Sequence, residues 1–362
     1  MTLGWPHYLG AFVGASILSL VLTPVVLRFA LRKGVLDLPG AHKSHSDPVP
    51  YLGGLAIVGS FVAVIGSVAA LTNQGGSRGE LIAILGVGVV LASMGLLDDL
   101  RSVPVVPRLI VEIFAGLAVV ALEAGVSFTR IGWFDTAITV LWVVGLINAV
   151  NMTDNMDGLS SGLVVLSSLS FFAIAAANGQ YLVATLSAAL AGCALGFLRL
   201  NIHPARIYMG DAGAYFLGFL TAYLGLKIQF RESNESTTFA VPVIVCIVLI
   251  FDATMVTLTR LFHRLSPFKG GRDHTSHRLV KVGLPIKVAV GAIHVVAASA
   301  GVIAFVVSRV PSGPGWVLST WVLLLLVVAG SLLSFVPVYE SSTHALYKLE
   351  RQSLSPKDRP TS

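Results

Sequence analysis

Acidic and amide side chains that could bind a metal ion and a phosphate lie in a few short segments of an otherwise apolar chain. The segment NAVNMTDNMDGLSSG (148–162) has two carboxylates and three amides: Asp154, Asp157, Asn148, Asn151 and Asn155. The segments GLLDDL and MGDAG supply three more carboxylates: Asp98, Asp99 and Asp211. Hard divalent cations such as Mg²⁺ take oxygen ligands, usually one or two carboxylates completed by substrate phosphates and waters. These aspartates therefore predict phosphate chemistry that depends on a divalent cation.

Basic and imidazole side chains accompany the carboxylates. AHKSHSDPVPYLGG (41–54) carries Lys43, and HRLSPFKGGRDHTSHRLVKVG (263–283) carries His274 and His277 among several arginines and lysines. Phosphates bind arginine, lysine and the N-termini of helices, and glycine pairs allow the backbone to approach a ligand closely. Together with the acids, these residues indicate a pocket for a metal-bound pyrophosphate.

Each acid also has an explanation that involves no chemistry. Asp98 and Asp99 could simply end a membrane span at the headgroups. Asp154 and Asp157 could cap the helix that follows them, where an acid near the N-terminus is stabilised by about 0.3–1 kcal/mol. Asp211 could occupy a glycine-flanked turn. The functional interpretation therefore rests on the combination of acids with basic segments.

The histidines have two interpretations as well. His274 and His277 could be solvated loop residues instead of ligand contacts, and solvation is the interpretation we favour for His42 and His45. Cys193 and Cys246 both lie within apolar runs, so neither a disulfide framework nor a thiolate metal site is expected.

The composition is that of a membrane protein. Mean hydropathy is +0.84, and only 12% of the residues are charged, against about a quarter in soluble domains. Long apolar runs recur along the chain, so the expected class is an all-α polytopic membrane protein. The first run lacks a basic lead and a small-residue cleavage site, which predicts a retained span. The net charge of +6 fits basic residues kept on one side of a bilayer, and no nucleic-acid partner is expected.

About eleven spans of roughly 20 residues are predicted. They lie near 8–29, 52–71, 80–97, 108–125, 133–150, 159–177, 181–198, 213–229, 239–259, 286–308 and 315–337. With the N-terminus outside, 18 of the 24 Lys and Arg residues fall on the cytoplasmic side and five on the outer side. The positive-inside rule favours this orientation, with the C-terminus in the cytoplasm and all the polar motifs on the cytoplasmic face. We expect one integral-membrane catalytic domain over 1–340 and a polar cytoplasmic tail over 341–362.

Five motifs in order, PVPYLGG, GLLDDL, NAVNMTDNMDGL, MGDAGAYFLG and DHTSHRL, resemble those of the polyprenyl-phosphate N-acetylhexosamine-1-phosphate transferases. The similarity spans roughly 35–285. DHTSHRL resembles the branch that transfers GlcNAc-1-phosphate to undecaprenyl or decaprenyl phosphate. The alternative branch, phospho-MurNAc-pentapeptide transferase, carries a run of histidines followed by Phe-Glu. The resemblance implies a UDP-N-acetylhexosamine donor, a polyprenyl phosphate acceptor in the membrane lipid, release of UMP, and Mg²⁺, with Mn²⁺ as a second option.

The resemblance also implies roles for individual residues. Asp211 matches the metal ligand, Asn151 an amide near the metal, and Asp98 and Asp99 an acidic pair in which Asp98 would be the base. The resemblance counts Asp157 as a third catalytic residue. The residues that it implies for substrate binding are Asn148, Asp154, Asn155, Met156, Tyr208, Arg108, His274, His277 and Lys43. Residues 154–157 would lie along the uridine, Tyr208 would stack on uracil, and the two histidines would lie near the sugar.

Three residues depart from the family pattern: Asn155 stands where glycine is usual, Ala214 where serine is common, and Arg108 where a lysine often occurs. Arginine keeps the charge but binds phosphate through a planar fork. These departures bear on sugar choice and rate more than on reaction class. Asp252, about 12 Å below the surface at 1.5 Å per residue, is expected to support the site because ionisable groups at that depth are usually paired or functional.

Several alternatives stay open at this stage. A secondary transporter is the rival from another class, but transporters place their sites near the midplane and often show inverted repeats. The acids of this chain lie at one surface, and its spans show no clear repeat. Direct attack and an aspartyl-phosphate intermediate are both compatible with the motifs, and so is a homodimer.

Overall fold

The computed structural model describes residues 4–37, 48–71, 78–127, 129, 131–229, 239–267 and 270–338. Helices dominate the described chain, in the order α1 (Trp5–Lys33), α2 (Gly54–Leu71), α3 (Arg78–Arg101), α4 (Val105–Ala121), α5 (Gly132–Thr153), α6 (Leu159–Ala177), α7 (Tyr181–Asn201), α8 (Gly210–Lys227), α9 (Ala240–Val245), α10 (Ile247–Phe262), α11 (Thr275–Lys281), α12 (Ile286–Val307) and α13 (Ser312–Ser334). The strands β1 (Leu36–Asp37) and β2 (Val49–Pro50) pair antiparallel. The expected all-α polytopic membrane class is confirmed, with this two-residue pairing as a small addition.

These apolar runs form helices because hydrocarbon offers no hydrogen-bond partners. Each backbone N–H and C=O group must therefore bond within its own segment, as it does in a helix. Among the described residues, seven helices are long and apolar enough to cross a membrane: α1, α3, α5, α6, α7, α12 and α13. Three of the other predicted spans coincide with α2, α4 and α8. The predicted ninth span is divided into two helices, α9 and α10. The total of eleven crossings and their orientation stay predictions.

Small residues allow the central helices to pack closely. Most residues of α7 and α8 are buried. A Cβ added to Gly192 or Gly196 of α7 would lie 2.3 or 2.4 Å from a backbone carbonyl oxygen of α1, so glycine lets these two helices touch. By contrast, most apolar side chains of α13 are exposed, as expected for a helix facing lipid.

The polar motifs collect at one end of the bundle. The C-termini of α3 and α5 meet the N-terminus of α8 there, because Asp99 and Asn151 both bond to residues in the first turn of α8. At the opposite end Glu80 of α3 pairs with Lys227 of α8 at 2.5 Å and accepts a hydrogen bond from Tyr223 at 2.7 Å. The antiparallel arrangement of α3 and α8 thus separates a polar end rich in motifs from an end with a simple ion pair.

Candidate active site

Asp99 binds the N-terminus of α8. Its Oδ1 accepts the backbone N–H of Asp211 at 3.0 Å, and its Oδ2 accepts that of Ala212 at 3.3 Å. The first N–H groups of a helix have no partner within the helix, and the helix dipole favours a carboxylate at this position. Gly210 has φ of 70°, and an added Cβ would lie 2.6 Å from Asp99 Oδ2. Asp99 therefore fixes the position of Asp211.

PVPYLGG and GLLDDL enclose the same turn from two sides. The N–H groups of Gly53 and Gly54 donate to the carbonyl oxygens of Tyr208 and Met209 at 2.9 and 2.8 Å. On α3, a Cβ added to Gly95 would lie 2.4 Å from the carbonyl carbon and oxygen of Asp211. The glycines of these motifs thus let α2 and α3 approach the start of α8. Lys43, His42 and His45, which precede PVPYLGG, lie outside the described residues.

Asp98 has a different set of contacts from its neighbour. Its Oδ1 accepts the Val103 N–H at 2.7 Å, and its Oδ2 pairs with the Arg108 guanidinium. The Tyr215 hydroxyl lies 3.4 Å from Asp98 Oδ2 and also 3.4 Å from Arg108 Nη1. Asp98, Arg108 and Tyr215 therefore form one polar cluster in which Asp98 and Tyr215 are buried and Arg108 is half-buried.

Asp211 lies beside this cluster and connects it to α5. Its carboxyl group is in direct contact with that of Asp98, and its Oδ1 accepts a hydrogen bond from Asn151 Nδ2 at 3.0 Å. Three segments distant in sequence thus bring Asp98, Asn151 and Asp211 into one pocket.

The donor chemistry of this pocket fits Mg²⁺. Carboxylates of Asp98 and Asp211 in contact, with Asp99 adjacent, repel each other unless a cation or protons intervene. Within the described part of the chain, no three His, Cys, Asp or Glu side chains form a complete metal site. Mg²⁺ commonly uses only one or two protein carboxylates and takes its other ligands from phosphates and water. The pocket therefore has the hard oxygen donors that such a partial site needs.

Asn148 is held by a buried acid of α4. Its Nδ2 donates to Glu112 Oε2 at 2.5 Å and to the Val144 carbonyl oxygen at 2.9 Å. Glu112 is 1% exposed and lies one helical turn after Arg108. With both amide hydrogens used internally, only the carbonyl oxygen of Asn148 is left for the substrate contact predicted from sequence.

The loop 154–158 joins α5 to α6 beside the carboxylate pocket. Asp157 Oδ2 lies 2.7 Å from His203 Nδ1 and accepts the Ala205 N–H at 3.0 Å. The N-cap of α6 is Gly158, with no side-chain capping bond, so the interpretation of Asp157 as a helix cap is wrong. Met156 packs in the apolar core, and its predicted substrate contact stays a prediction.

The side chains of Asp154 and Tyr208 are half-buried at this loop. Burial raises the pKa of Asp154 to about 7, and repulsion from Asp99 and Asp157 acts in the same direction. Burial also raises the pKa of the Tyr208 hydroxyl, with smaller contributions from Asp157, Asp37 and Asp154. Tyr208 therefore stays a neutral ring at the position predicted to stack on a base.

The DHTSHRL segment forms the start of α11 and lies against α10. His274 Nδ1 is 2.7 Å from Asp252 Oδ2. Asp252, the acid within α10, therefore supports this segment, as expected from sequence. Ser276 Oγ donates to Asn155 Oδ1 at 2.7 Å. This hydrogen bond connects α11 to the 154–158 loop and hence to the carboxylate pocket.

Comparison with known proteins identifies the family. Residues 81–229 match the model of Glycosyl transferase family 4. A probable undecaprenyl-phosphate N-acetylglucosaminyl 1-phosphate transferase of Bacillus subtilis is 31% identical over 297 residues, which cover 79% of this chain and 81% of that protein. The chain belongs to glycosyl transferase family 4.

Other family 4 relatives are similar over comparable lengths. A decaprenyl-phosphate N-acetylglucosaminephosphotransferase of Mycobacterium tuberculosis is 27% identical over 75% of this chain and 76% of its own length. A phospho-N-acetylmuramoyl-pentapeptide-transferase of Streptococcus uberis is 27% identical over 73% and 85%. The family model covers Asp98, Asn151 and Asp211, whereas α11 lies beyond it.

Sequence reasoning missed two residues of this family 4 site. Tyr215 reaches Asp98 and Arg108, and it directly follows Ala214, already noted as a departure. Glu112 binds Asn148, and in the sequence it stands out only as a single acidic residue within an apolar run. Neither signal identifies a partner, because the partners come from other helices.

The pKa of Asp154 predicts a pH dependence of stability. The pKa of this carboxyl group is 3.8 in the unfolded chain and about 7 in the folded protein. Between these values the folded state binds more protons, so its stability falls as pH rises through this window. We expect Asp154→Asn to remove part of this loss. Melting temperatures of Asp154→Asn and wild type are measured without ligand in detergent. The difference, variant minus wild type, should rise by roughly 2–4 °C between about pH 5.5 and about pH 8. A difference that is constant with pH would contradict the raised pKa.

Proposed function

We propose that this family 4 protein transfers GlcNAc-1-phosphate from UDP-GlcNAc to a polyprenyl phosphate and releases UMP. The observation that carries the proposal is the convergence of Asp98, Asn151 and Asp211 from three segments at one end of a helical membrane bundle. The names of the Bacillus and Mycobacterium relatives support the same transfer of an N-acetylglucosaminyl phosphate.

The reaction joins two anions. An oxygen of the acceptor phosphate attacks the sugar-bearing phosphorus of the donor, and the bond from that phosphorus to the oxygen bridging it to the nucleotide phosphate breaks. The bridging oxygen leaves with UMP. Such a transfer requires mainly the positioning of reactants and the stabilisation of spreading charge.

The cluster on α3 and α4 suits the acceptor. Asp98 can take the proton of a singly ionised acceptor phosphate, and Arg108, which has five N–H donors, can bind that phosphate while it remains near Asp98. The Tyr215 hydroxyl lies within reach of both groups and restrains their orientation. Positive charge from Arg108 lowers the repulsion between the approaching phosphates.

Asp211 and Asn151 suit the pyrophosphate of the donor. Asn151 orients the Asp211 carboxylate through its amide, and Asp99 holds the backbone of the same turn. A Mg²⁺ ion held by Asp211, with the amide of Asn151 near it, would neutralise charge on the pyrophosphate and on departing UMP. The 154–158 loop and Tyr208 would then bind the uridine.

The acceptor fixes the location of the site in the cell. Its isoprenoid tail stays in hydrocarbon while its phosphate remains at the headgroups, so the pocket must open at a membrane surface. The charge distribution of the loops favours the cytoplasmic surface of the plasma membrane. We therefore infer a multi-pass enzyme that acts on cytoplasmic nucleotide sugars in cell-wall or surface-polysaccharide biosynthesis.

The direct test is release of UMP by the purified protein in detergent. With undecaprenyl phosphate and UDP-GlcNAc, we expect UMP to appear with Mg²⁺ present and to fall by at least about 100-fold after chelation with EDTA. UDP-GalNAc, UDP-glucose and UDP-MurNAc-pentapeptide serve as matched donors. Faster release from UDP-MurNAc-pentapeptide would reassign the donor, and no release from any donor would contradict the reaction.

A further inference from the structure

The short helix α11 is held against α10 by two acidic residues. Asp252 is 4% exposed; its Oδ2 lies 2.7 Å from His274 Nδ1, and its Oδ1 accepts the Thr275 N–H at 2.7 Å. Asp273 accepts two hydrogen bonds from Arg260, each at 2.7 Å. Buried, charge-assisted and bidentate contacts of this kind restrict geometry strongly. The first turn of α11 is therefore fixed relative to the membrane bundle.

A further charged residue, Arg278, connects α11 to the end of α13. Arg278 is 1% exposed and donates through Nε to the Asp273 carbonyl oxygen at 2.9 Å. Its Nη1 donates to the carbonyl oxygens of Leu333 at 2.9 Å and Val336 at 3.2 Å. These bonds add contacts to the end of α13 to those with α10, so α11 forms a rigid platform.

The platform is connected to the active-site loop through two neutral side chains. Ser276 is 1% exposed, and its hydroxyl donates to Asn155 Oδ1 at 2.7 Å. Asn155 Nδ2 donates in turn to the Met152 carbonyl oxygen in the last turn of α5, at 2.8 Å. Both ends of the amide are therefore used to span from α5 to α11.

The residue after Ser276 carries a buried ring nitrogen. His277 Nδ1 has no hydrogen-bond partner within the described part of the chain. Burial lowers the pKa of this imidazole to about 4, with further contributions from the charges of His274 and Arg272, so the ring is neutral near pH 7. A buried polar atom without a partner is costly, and a ligand that reaches α11 could supply one.

We propose that the hydrogen bond between Ser276 and Asn155 determines affinity for the sugar-bearing part of the donor by holding α11 against the 154–158 loop. The inference rests on the proposed function. A UDP-sugar extends from the uridine pocket past the pyrophosphate to the sugar, so it needs the loop and α11 in fixed relation. UMP ends before the sugar and does not need that relation. Preorganisation therefore favours the complete donor over UMP.

The test is a double-mutant cycle on the full-length protein in detergent. We expect Ser276→Ala and Asn155→Ala each to weaken UDP-GlcNAc binding by about 5–10-fold, the usual effect of one buried neutral hydrogen bond. In Ser276→Ala, UMP affinity should change by less than about 2-fold. Asn155 belongs to the loop proposed to bind the uridine, so Asn155→Ala should weaken UDP-GlcNAc binding more than UMP binding. The double variant should bind UDP-GlcNAc no more weakly than Asn155→Ala alone, because the Ser276 hydroxyl has no bond left to lose once the Asn155 amide is gone. Calorimetric titration of UDP-GlcNAc and UMP measures all of these effects without requiring turnover.

Two further variants separate this effect from general destabilisation. Ser276→Thr keeps the hydroxyl and should bind UDP-GlcNAc within about 2-fold of wild type. Ser19→Ala removes a buried hydroxyl bonded at 2.8 Å to the Cys193 carbonyl oxygen on α7 and should leave both affinities unchanged. Melting temperatures check that each variant is folded.

Several outcomes would overturn the inference. Equal losses of UDP-GlcNAc and UMP affinity would assign the pair to general support of the pocket. Additive effects in the double variant, or unchanged donor affinity in both single variants, would show that the bond does not act as proposed. Wild-type protein that binds UDP-GlcNAc without releasing UMP would contradict the reaction, and the binding cycle would still decide the role of the bond. Wild-type protein that binds neither ligand would overturn both proposals.

Discussion

We expect Asp211→Asn to lower UMP release by about 10³-fold or more, even at saturating Mg²⁺. Asparagine keeps the shape of the side chain but removes the negative charge that would hold the cation beside Asn151. Loss of one preorganised electrostatic contact to a transition state typically costs a factor of about 10²–10³, and loss of the metal adds to it. Initial rates over a Mg²⁺ series at fixed donor and acceptor measure the effect.

The folded state of Asp211→Asn should be at least as stable as wild type without ligand. Asp211 contacts Asp98 and lies next to Asp99, so its removal relieves repulsion between carboxylates. Glu80→Gln is the matched control, because Glu80 is also a paired acid of this bundle but lies at the opposite end. The turnover of Glu80→Gln should stay within about 2-fold of wild type. Near-normal turnover by Asp211→Asn would reject the metal assignment.

Asp98→Asn should lower turnover by about 10²–10⁴-fold, the range expected when a general base is lost. The deficit should shrink by about 10-fold between about pH 5 and about pH 8, because the fraction of acceptor phosphate that has lost its second proton unaided, with a pKa near 6, rises by about that factor. The KM for UDP-GlcNAc should change little, since Asp98 contacts Arg108 and Tyr215 on the acceptor side. Rates measured across this pH range, for wild type and variant in parallel, give the result.

A matched variant separates proton transfer from positioning. Asp98→Glu keeps a carboxylate and should retain more activity than Asp98→Asn at every pH, although the longer side chain shifts the contact with Arg108. A deficit in Asp98→Asn that does not vary with pH would assign Asp98 to orienting Arg108 and would remove it from the role of base.

The helices and the location of the polar chemistry were largely predictable from sequence. Apolar runs of the right length predict helices in a membrane because every backbone group must be satisfied within its own segment. That reasoning is local, and it located α1 to α8, α12 and α13, but neither the division of the ninth span at Cys246 nor the short helix α11. Five motifs also identified the family that comparison with known proteins shows.

The separate roles of Asp98 and Asp99 were not predictable in the same way. Successive residues of a helix point about 100° apart, so two adjacent acids contact different neighbours. Asp99 caps α8, whereas Asp98 pairs with Arg108 and Tyr215. The sequence shows only that both are acids.

The sequence by itself determined the membrane class, the approximate helices and the set of acids and amides available for phosphate chemistry, because these depend on local composition and short motifs. Only the tertiary structure decided which atoms meet. Asp99 and Asp211 are 112 positions apart, and Asn155 and Ser276 are 121 apart. Hydrogen bonds act over about 3 Å, so partners this distant in sequence meet only because helix packing brings their segments together.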